Sequence, residues 1–479
     1  MAKLQCVVCG GTEIVNTADN LFVCRACGCK YTLAQVRKLV GNTGSATKTA
    51  DSPRTAASTG FTVHGGKLVS YTGQSPDVVI PQNVLIIGTE AFKNYSGIAR
   101  VVIPEGVHTI ESGAFRGCSS LKEVKLPSTL KTIGYEAFWC CTSLKEVKLP
   151  STLETIGGNA FWYCTSLKEV KLPSTLKNIG ESAFSCCSDL QAIQIPDGVT
   201  SIGRFAFAGC KSLKEVHLPN SLPIIKWGTF SNCASLTTVN FPKALTAIEE
   251  CAFENCDSIV SVTIPGTVEN CGKIFTGCKN LRRVVFQPGV KTIEREAFKE
   301  FPALESVSLP ESLREIEAFT FYKCTALASV SFPNTLVTIG TRAFSGCRSL
   351  TEVRLPRGTR KIAGGAFEGC SKLRSVEIPD GVTEIGDAAF GNCTSLTSVV
   401  IPKSMKSIAV NAFMDCRLLD FQISPASSVD LHFAAEYDCG HCSILRNRRA
   451  NRQCLHCGAP LPFIGKRCTY CGGPGKEIY

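Results

Sequence analysis

Leu121-Lys-Glu-Val124-Lys125-Leu126-Pro127-Ser-Thr-Leu130 recurs letter for letter at 144–153 and again at 167–176. In Val124-Lys125-Leu126 apolar and polar residues alternate, the pattern of a strand with one buried face. Pro127 has no amide hydrogen, so it ends the strand and turns the chain. Leu130 and Ile133 mark a second short extended or turn-like segment, and Ala137-Phe138 returns the chain with the ring filling the interior. Working outward from this stretch, an Ala-Phe-like step appears fifteen times, from Phe92, Phe115 and Phe138 to Phe390 and Phe413. Each step is 23 residues except Phe253 to Phe275, which is 22. A period of this length belongs to a solenoid, whose coils bury their apolar side only by stacking. At the strand spacing of a parallel sheet, the coils would extend on the order of 70 Å.

The pattern L-x-x-V/I-x-L-P-x-x-L-x-x-I-x-x-x-A-F-x-x-C resembles the BspA-like leucine-rich-repeat family over residues about 75–425. Phe61-Thr-Val-His-Gly-Gly-Lys-Leu68 through Pro81 is similar to that family's amino-terminal capping hairpin. The resemblance implies a right-handed solenoid with a parallel β-sheet on one face and short turns or helical segments on the other. It also implies ligand or protein binding, often at bacterial surfaces, without a shared catalytic activity. The expected organisation is a zinc ribbon plus a short helix (33–40) at 1–40, a flexible linker at 41–60, a cap and first partial repeat at 61–90, the solenoid at 91–425 and a second zinc-ribbon region at 426–479.

The 28 cysteines form two populations. Seventeen lie in the repeats, and thirteen of those stand three residues after the repeat Phe, where Tyr95 and Phe301 replace them in two coils. A position that accepts an aromatic ring in place of Cys asks for bulk, so these read as small buried thiols with a weak donor. Cys140, Cys186, Cys251 and Cys271 fall outside that column and stay unassigned. At the front, Cys6-Val-Val-Cys9-Gly and Cys24-Arg-Ala-Cys27-Gly have zinc-ribbon spacing: two tight knuckles supply four thiolates for a tetrahedral ion. Such a segment has too small a core to fold unaided, and a structural zinc supplies roughly 10–16 kcal/mol. At the back, Cys439/Cys442, Cys454/Cys457 and Cys468/Cys471 make one or two further sites, with the pairing open and His432, His441 and His456 close enough to complete a second.

The formal charge of +11 is concentrated at the ends. Residues 1–60 carry 7 Lys/Arg against 3 Asp/Glu, and residues 424–479 carry 7 against 4, so the long repeat region is almost balanced. That argues against a solenoid built to bind nucleic acid and leaves the ends as candidates. Arg446, Arg448, Arg449 and Arg452 cluster between two knuckles, where they would meet phosphates or an acidic protein. The amino terminus has no signal-peptide core and no apolar run reaches membrane-span length. With CxxC spacings, the thiols read as reduced, and the expected location is the cytoplasm.

Two surfaces could receive a partner. The strand residues flanking the central Val, such as Glu123/Lys125 and Glu146/Lys148, form polar columns that turn Ser/Thr-rich from Thr238 to Ser331, with no aromatic anchor expected there. Trp139 and Trp162 each follow the repeat Phe, so they should be adjacent on neighbouring coils with Tyr163 beside them. No catalytic constellation is legible. Gly266–Lys273 has five residues between its glycines where a phosphate loop needs four, and Ile274 lacks the magnesium-holding hydroxyl. The expectation is a non-catalytic protein-interaction scaffold with structural zinc, and the alternative is a nucleic-acid adaptor acting through its basic ends. A surface adhesin, the third possibility, needs an export signal.

Overall fold

The structure, a computed structural model, describes residues 60–409 and 411–423 (of Asp420–Ile423 the backbone), with the backbone of three amino-terminal strands. The chain divides into two units, Met1–Phe61 and Thr62–Tyr479. In the first, Ile14–Asn16, Leu21–Cys24 and Lys30–Thr32 form a three-stranded antiparallel sheet. The linker at 41–59, the helix at 33–40 and the region from 424 lie outside the described residues.

In the second unit each coil contributes one strand to a front sheet and one to a back sheet. The quoted decapeptides sit in the front sheet, where Glu146, Val147 and Lys148 pair in parallel with Glu169, Val170 and Lys171. The Val is buried and its neighbours are exposed. The face on which the family resemblance implies short turns or helical segments is instead a second parallel sheet of two-residue strands, such as Thr132–Ile133 beside Thr155–Ile156. Of the two forms open to the Leu130–Ile133 segment, extended or turn-like, the extended one is present, but two residues are too few to show the alternation that would decide it from sequence. No helix occurs among the described residues. At the amino end, Phe61–His64 and Lys67–Tyr71 form a hairpin across Gly65-Gly66, both left-handed, and the second strand pairs with Ile86–Ile87.

The coil closes through a double turn around the repeat Phe. The residue two after that Phe has positive φ in all fifteen coils, and the residue two before it does in thirteen. The first position is filled by Gly117, Asn94, Cys140, Tyr163 and Cys186 among others. Three of the four unassigned thiols are therefore double-turn residues (Cys140, Cys186 and Cys251), while Cys271 ends a back strand in the place of Ile. The 22-residue step has a local cause: one residue is missing between Cys271 and Phe275, and Lys273 lacks the left-handed conformation of its counterparts.

Three ladders tie coil to coil. Phe rings stack from Phe92 to Phe275 and again from Phe298 to Phe413, with neighbours such as Phe138 and Phe161 at 5.2 Å and nearly parallel. Tyr71 packs against Phe92 at 5.2 Å at the amino end of the column. The column thiols donate to the carbonyl of the repeat Phe in the preceding coil, Cys141 to Phe115 and Cys164 to Phe138 at 3.2 Å each. The Thr of the Pro-Ser-Thr-Leu turn forms the third ladder: Thr152 Oγ1 donates towards Ser128 O at 2.6 Å and Leu130 O at 2.8 Å. The Gly that follows the back-strand Ile exists for closeness, since a Cβ at Gly180 would lie 2.4 Å from Gly158 N.

The sheets are not continuous. Both break between the same coils, after Thr238–Asn240 and Ala247–Ile248, and again after Ser329–Val330 and Thr338–Ile339. At each break the front strand ends Phe-Pro (Phe241-Pro242, Phe332-Pro333), with Phe where most coils have Leu or Ile. Both rings are half-buried, and Val239 and Val330 are the central front-strand residues that lose full burial. A bulky ring fixed beside Pro holds the strand off the core. In Phe286-Gln287-Pro288 the intervening Gln lets the strand run on to Phe286, the ring is buried, and the sheet continues. The turn edge stays bonded across both breaks: Phe253 N donates to Ile274 O at 3.0 Å, and Phe344 N to Ala366 O at 2.8 Å. A further break in the back sheet, between Ser201–Ile202 and Ile224–Ile225, falls at Pro223. There Thr200 N donates to Lys177 O at 3.1 Å, but proline has no hydrogen to pass on to Thr200.

Candidate interaction surfaces

The front face carries its charge in columns. Lys148 lies 3.7 Å from Glu146 and Lys171 3.6 Å from Glu169, while Arg100 reaches Glu123 at 3.1 Å in the next coil. These groups are exposed, so each pair contributes little to stability. They set a finely alternating, nearly neutral surface.

Two depressions of that face bear on binding. One, between Glu169/Lys171 and Gln194, opens where Ala192 interrupts the acidic column. The other, of about 380 Å³, lies at the first sheet break among Thr238, Asn240, Ser261, Thr263, Gln287 and Phe241. The Ser/Thr-rich stretch thus does contain an aromatic ring, contrary to expectation. Phe241 was hidden because it occupies the position of a core Leu.

At the turn edge Trp139 and Trp162 stack at 5.6 Å with 21° between ring planes, and Tyr163 lies 5.4 Å from Trp162. All three are half-buried. From the preceding coil the Arg116 guanidinium stands 3.9 Å from the Trp139 ring centre, held by Glu136 at 2.9 Å. Trp139 is therefore covered by Arg116 on one side and Trp162 on the other. In the same column the following coil supplies Ser185, so the stack of tryptophans does not continue past Trp162. Arg116 directly follows Phe115, and the column spacing that paired the tryptophans was the signal that could have found it.

Most of the buried column thiols are chemically quiet. Burial pushes Cys118, Cys324 and Cys370 up to about 12, and takes Cys141, Cys164 and Cys187 well above the usual thiol range. A thiol that stays protonated is neither nucleophile nor metal ligand. Among the described residues no group of three His, Cys, Asp or Glu could hold a metal, and no helix is long and apolar enough to cross a membrane. Of the candidate zinc ligands, Cys24 falls on described backbone, at the end of Leu21–Cys24. Its side chain and Cys6, Cys9, Cys27, Cys439, Cys442, Cys454, Cys457, Cys468 and Cys471 lie outside the described residues, as do Arg446, Arg448, Arg449 and Arg452.

Residues 70–191, 177–303 and 291–420 match the family described as BspA type leucine rich repeat region (6 copies). The chain belongs to this family. Among solved structures, a leucine-rich repeat protein from Bacteroides ovatus has the same fold as this BspA-type chain. It shares 24% identity at a TM-score of 0.53, over 76% of this chain and 97% of that one. A leucine rich cell surface protein from Faecalibacterium prausnitzii is 26% identical over 78% of this chain and 96% of its own, with a TM-score of 0.39. A comparison with curated proteins gives no match.

Proposed function

We propose that this BspA-type protein is a non-catalytic scaffold for protein–protein interaction, with zinc ribbons at its two ends. One observation carries the reading: the repeat uses its apolar and thiol side chains between coils and leaves long, regular columns of unreactive polar groups outside. An unreactive, repeated surface suits holding a partner rather than transforming one. Trp162, with Tyr163 beside it, is the aromatic anchor for such a partner. Full-length protein carrying Trp162→Ala should lose a directly bound protein partner without a change in thermal midpoint. Equal capture by variant and parent removes Trp162 from the interface.

The zinc reading is supported by a three-stranded antiparallel sheet lying between and across two CxxC pairs. Elemental analysis of purified full-length protein should find two or three zinc ions per chain; a metal-free folded protein would end it. A thiol-rich repeat held in S–H form suits a reducing compartment, and we place the protein in the cytoplasm. The second reading, a nucleic-acid adaptor, draws on Arg446, Arg448, Arg449 and Arg452. Partners lost on nuclease treatment, with capture that weakens steeply between low and high salt, would favour it over the first.

A further inference from the structure

The depression at the first sheet break differs from the charged part of the front face. The strands Glu123–Lys125, Glu146–Lys148 and Glu169–Lys171 carry Glu/Lys columns, whereas from Thr238 to Ser331 the outward residues are mostly Ser and Thr, with Arg283 the charged exception. The depression's own polar side chains, Thr238, Asn240, Ser261, Thr263 and Gln287, are all uncharged. All five are exposed, and none of their hydroxyl or carboxamide groups makes a hydrogen bond among the described residues, so each is open to a ligand. Beside them the Phe241 ring is half-buried, and Val239 loses full burial with it.

We propose that this depression is a binding site for a neutral oligosaccharide. Three hydroxyls and two carboxamides can each donate and accept, which is the demand of a sugar's hydroxyls. The part of the Phe241 ring left open offers apolar surface to the C–H face of a pyranose. The absence of a charged lining side chain leaves no counter-ion for a sulfated, phosphorylated or carboxylated ligand. At about 380 Å³ the space is near the small end of ligand pockets, which limits it to a few sugar units. The site exists because the sheet is broken here. In an intact ladder, with Leu in place of Phe241, Val239 would be buried and the depression closed.

The test presents full-length protein to an array of neutral glucan, mannan, xylan and N-acetylglucosamine oligomers printed beside sulfated and sialylated glycans and random neutral peptides. The expected result is retention of at least one neutral series. For that series the exposed-residue double variant Asn240→Ala/Gln287→Ala should bind at least tenfold more weakly, with an unchanged thermal midpoint. Phe241→Leu, which closes the break, should also lose binding, while Glu146→Gln on the charged part of the face should not. Retention only of anionic glycans or of peptides overturns the proposal. So does failure to retain any neutral glycan, or retention indifferent to Asn240→Ala/Gln287→Ala.

Discussion

At position 359 this coil places a threonine where its neighbours bury Leu336 and Val382. Thr359 is itself 1% exposed, and its Oγ1 has no hydrogen-bond partner. A buried hydroxyl without a partner costs about 1–3 kcal/mol. Thr359→Val keeps the shape and removes the polar atom, so it should raise the urea midpoint of unfolding; a lower midpoint would show that the hydroxyl is satisfied after all. A second residue to test is Glu294. Its counterparts Glu111, Glu249 and Glu317 accept a backbone N–H from the preceding coil, for example Trp227 N to Glu249 at 2.8 Å. The matching position before Glu294 is the shortened turn at Gly272, where no such bond forms. Burial, then the neighbouring Glu317 and Glu250, raises its pKa above the ordinary value. A carboxyl whose folded pKa is raised prefers its proton in the folded state. Its contribution is therefore most favourable below the unfolded pKa and is lost as pH rises through the folded one. Glu294→Gln should accordingly stabilise at neutral pH and lose that advantage as pH falls through the raised folded value into the usual carboxylate range. A pH-independent difference in denaturation midpoints would refute this.

Among the elements, the front strands were legible in the sequence because Val124-Lys125-Leu126 alternates and Pro127 marks the end. The thiol column was legible from Tyr95 and Phe301 standing in for Cys. The paired left-handed residues were not, since Cys140, Tyr163 and Phe205 occupy positions usually expected to hold Gly or Asn. Nor were the sheet breaks, because Phe241 and Phe332 look like ordinary apolar replacements of Leu. On the site side, the tryptophan stack followed from spacing alone, whereas the depression depends on how a ring fits beneath a strand. Hydrogen exchange can check the breaks. Peptides covering Ser261–Ile264 should exchange roughly tenfold faster than those covering Glu146–Lys148, while the turn at 253–257 stays protected. Uniform protection along the front sheet would mean that the ladder is continuous, and Phe241→Leu should move the wild-type pattern towards that state.

For the whole molecule, stability is close to a sum over coils and their junctions. Removing residues 144–166 joins Ser143 to Leu167 and restores the local sequence Cys-Thr-Ser-Leu-Lys-Glu-Val unchanged. The shortened chain should fold cooperatively with a thermal midpoint within a few degrees of the parent. Removing 144–155 instead, which breaks the period, should leave a chain that unfolds well below it. Similar midpoints for the two deletions would argue that coils do not stack in register.

Bonded partners on adjacent front strands stand 23 residues apart, as Glu146 and Glu169 do, and the repeated segment has that same length. A gain or loss of 23 codons between the three identical decapeptides would therefore add or drop one unit without leaving a scar in the product. Reach along the array can thus change in a single inherited event, with no period of misfolded intermediates to be selected against.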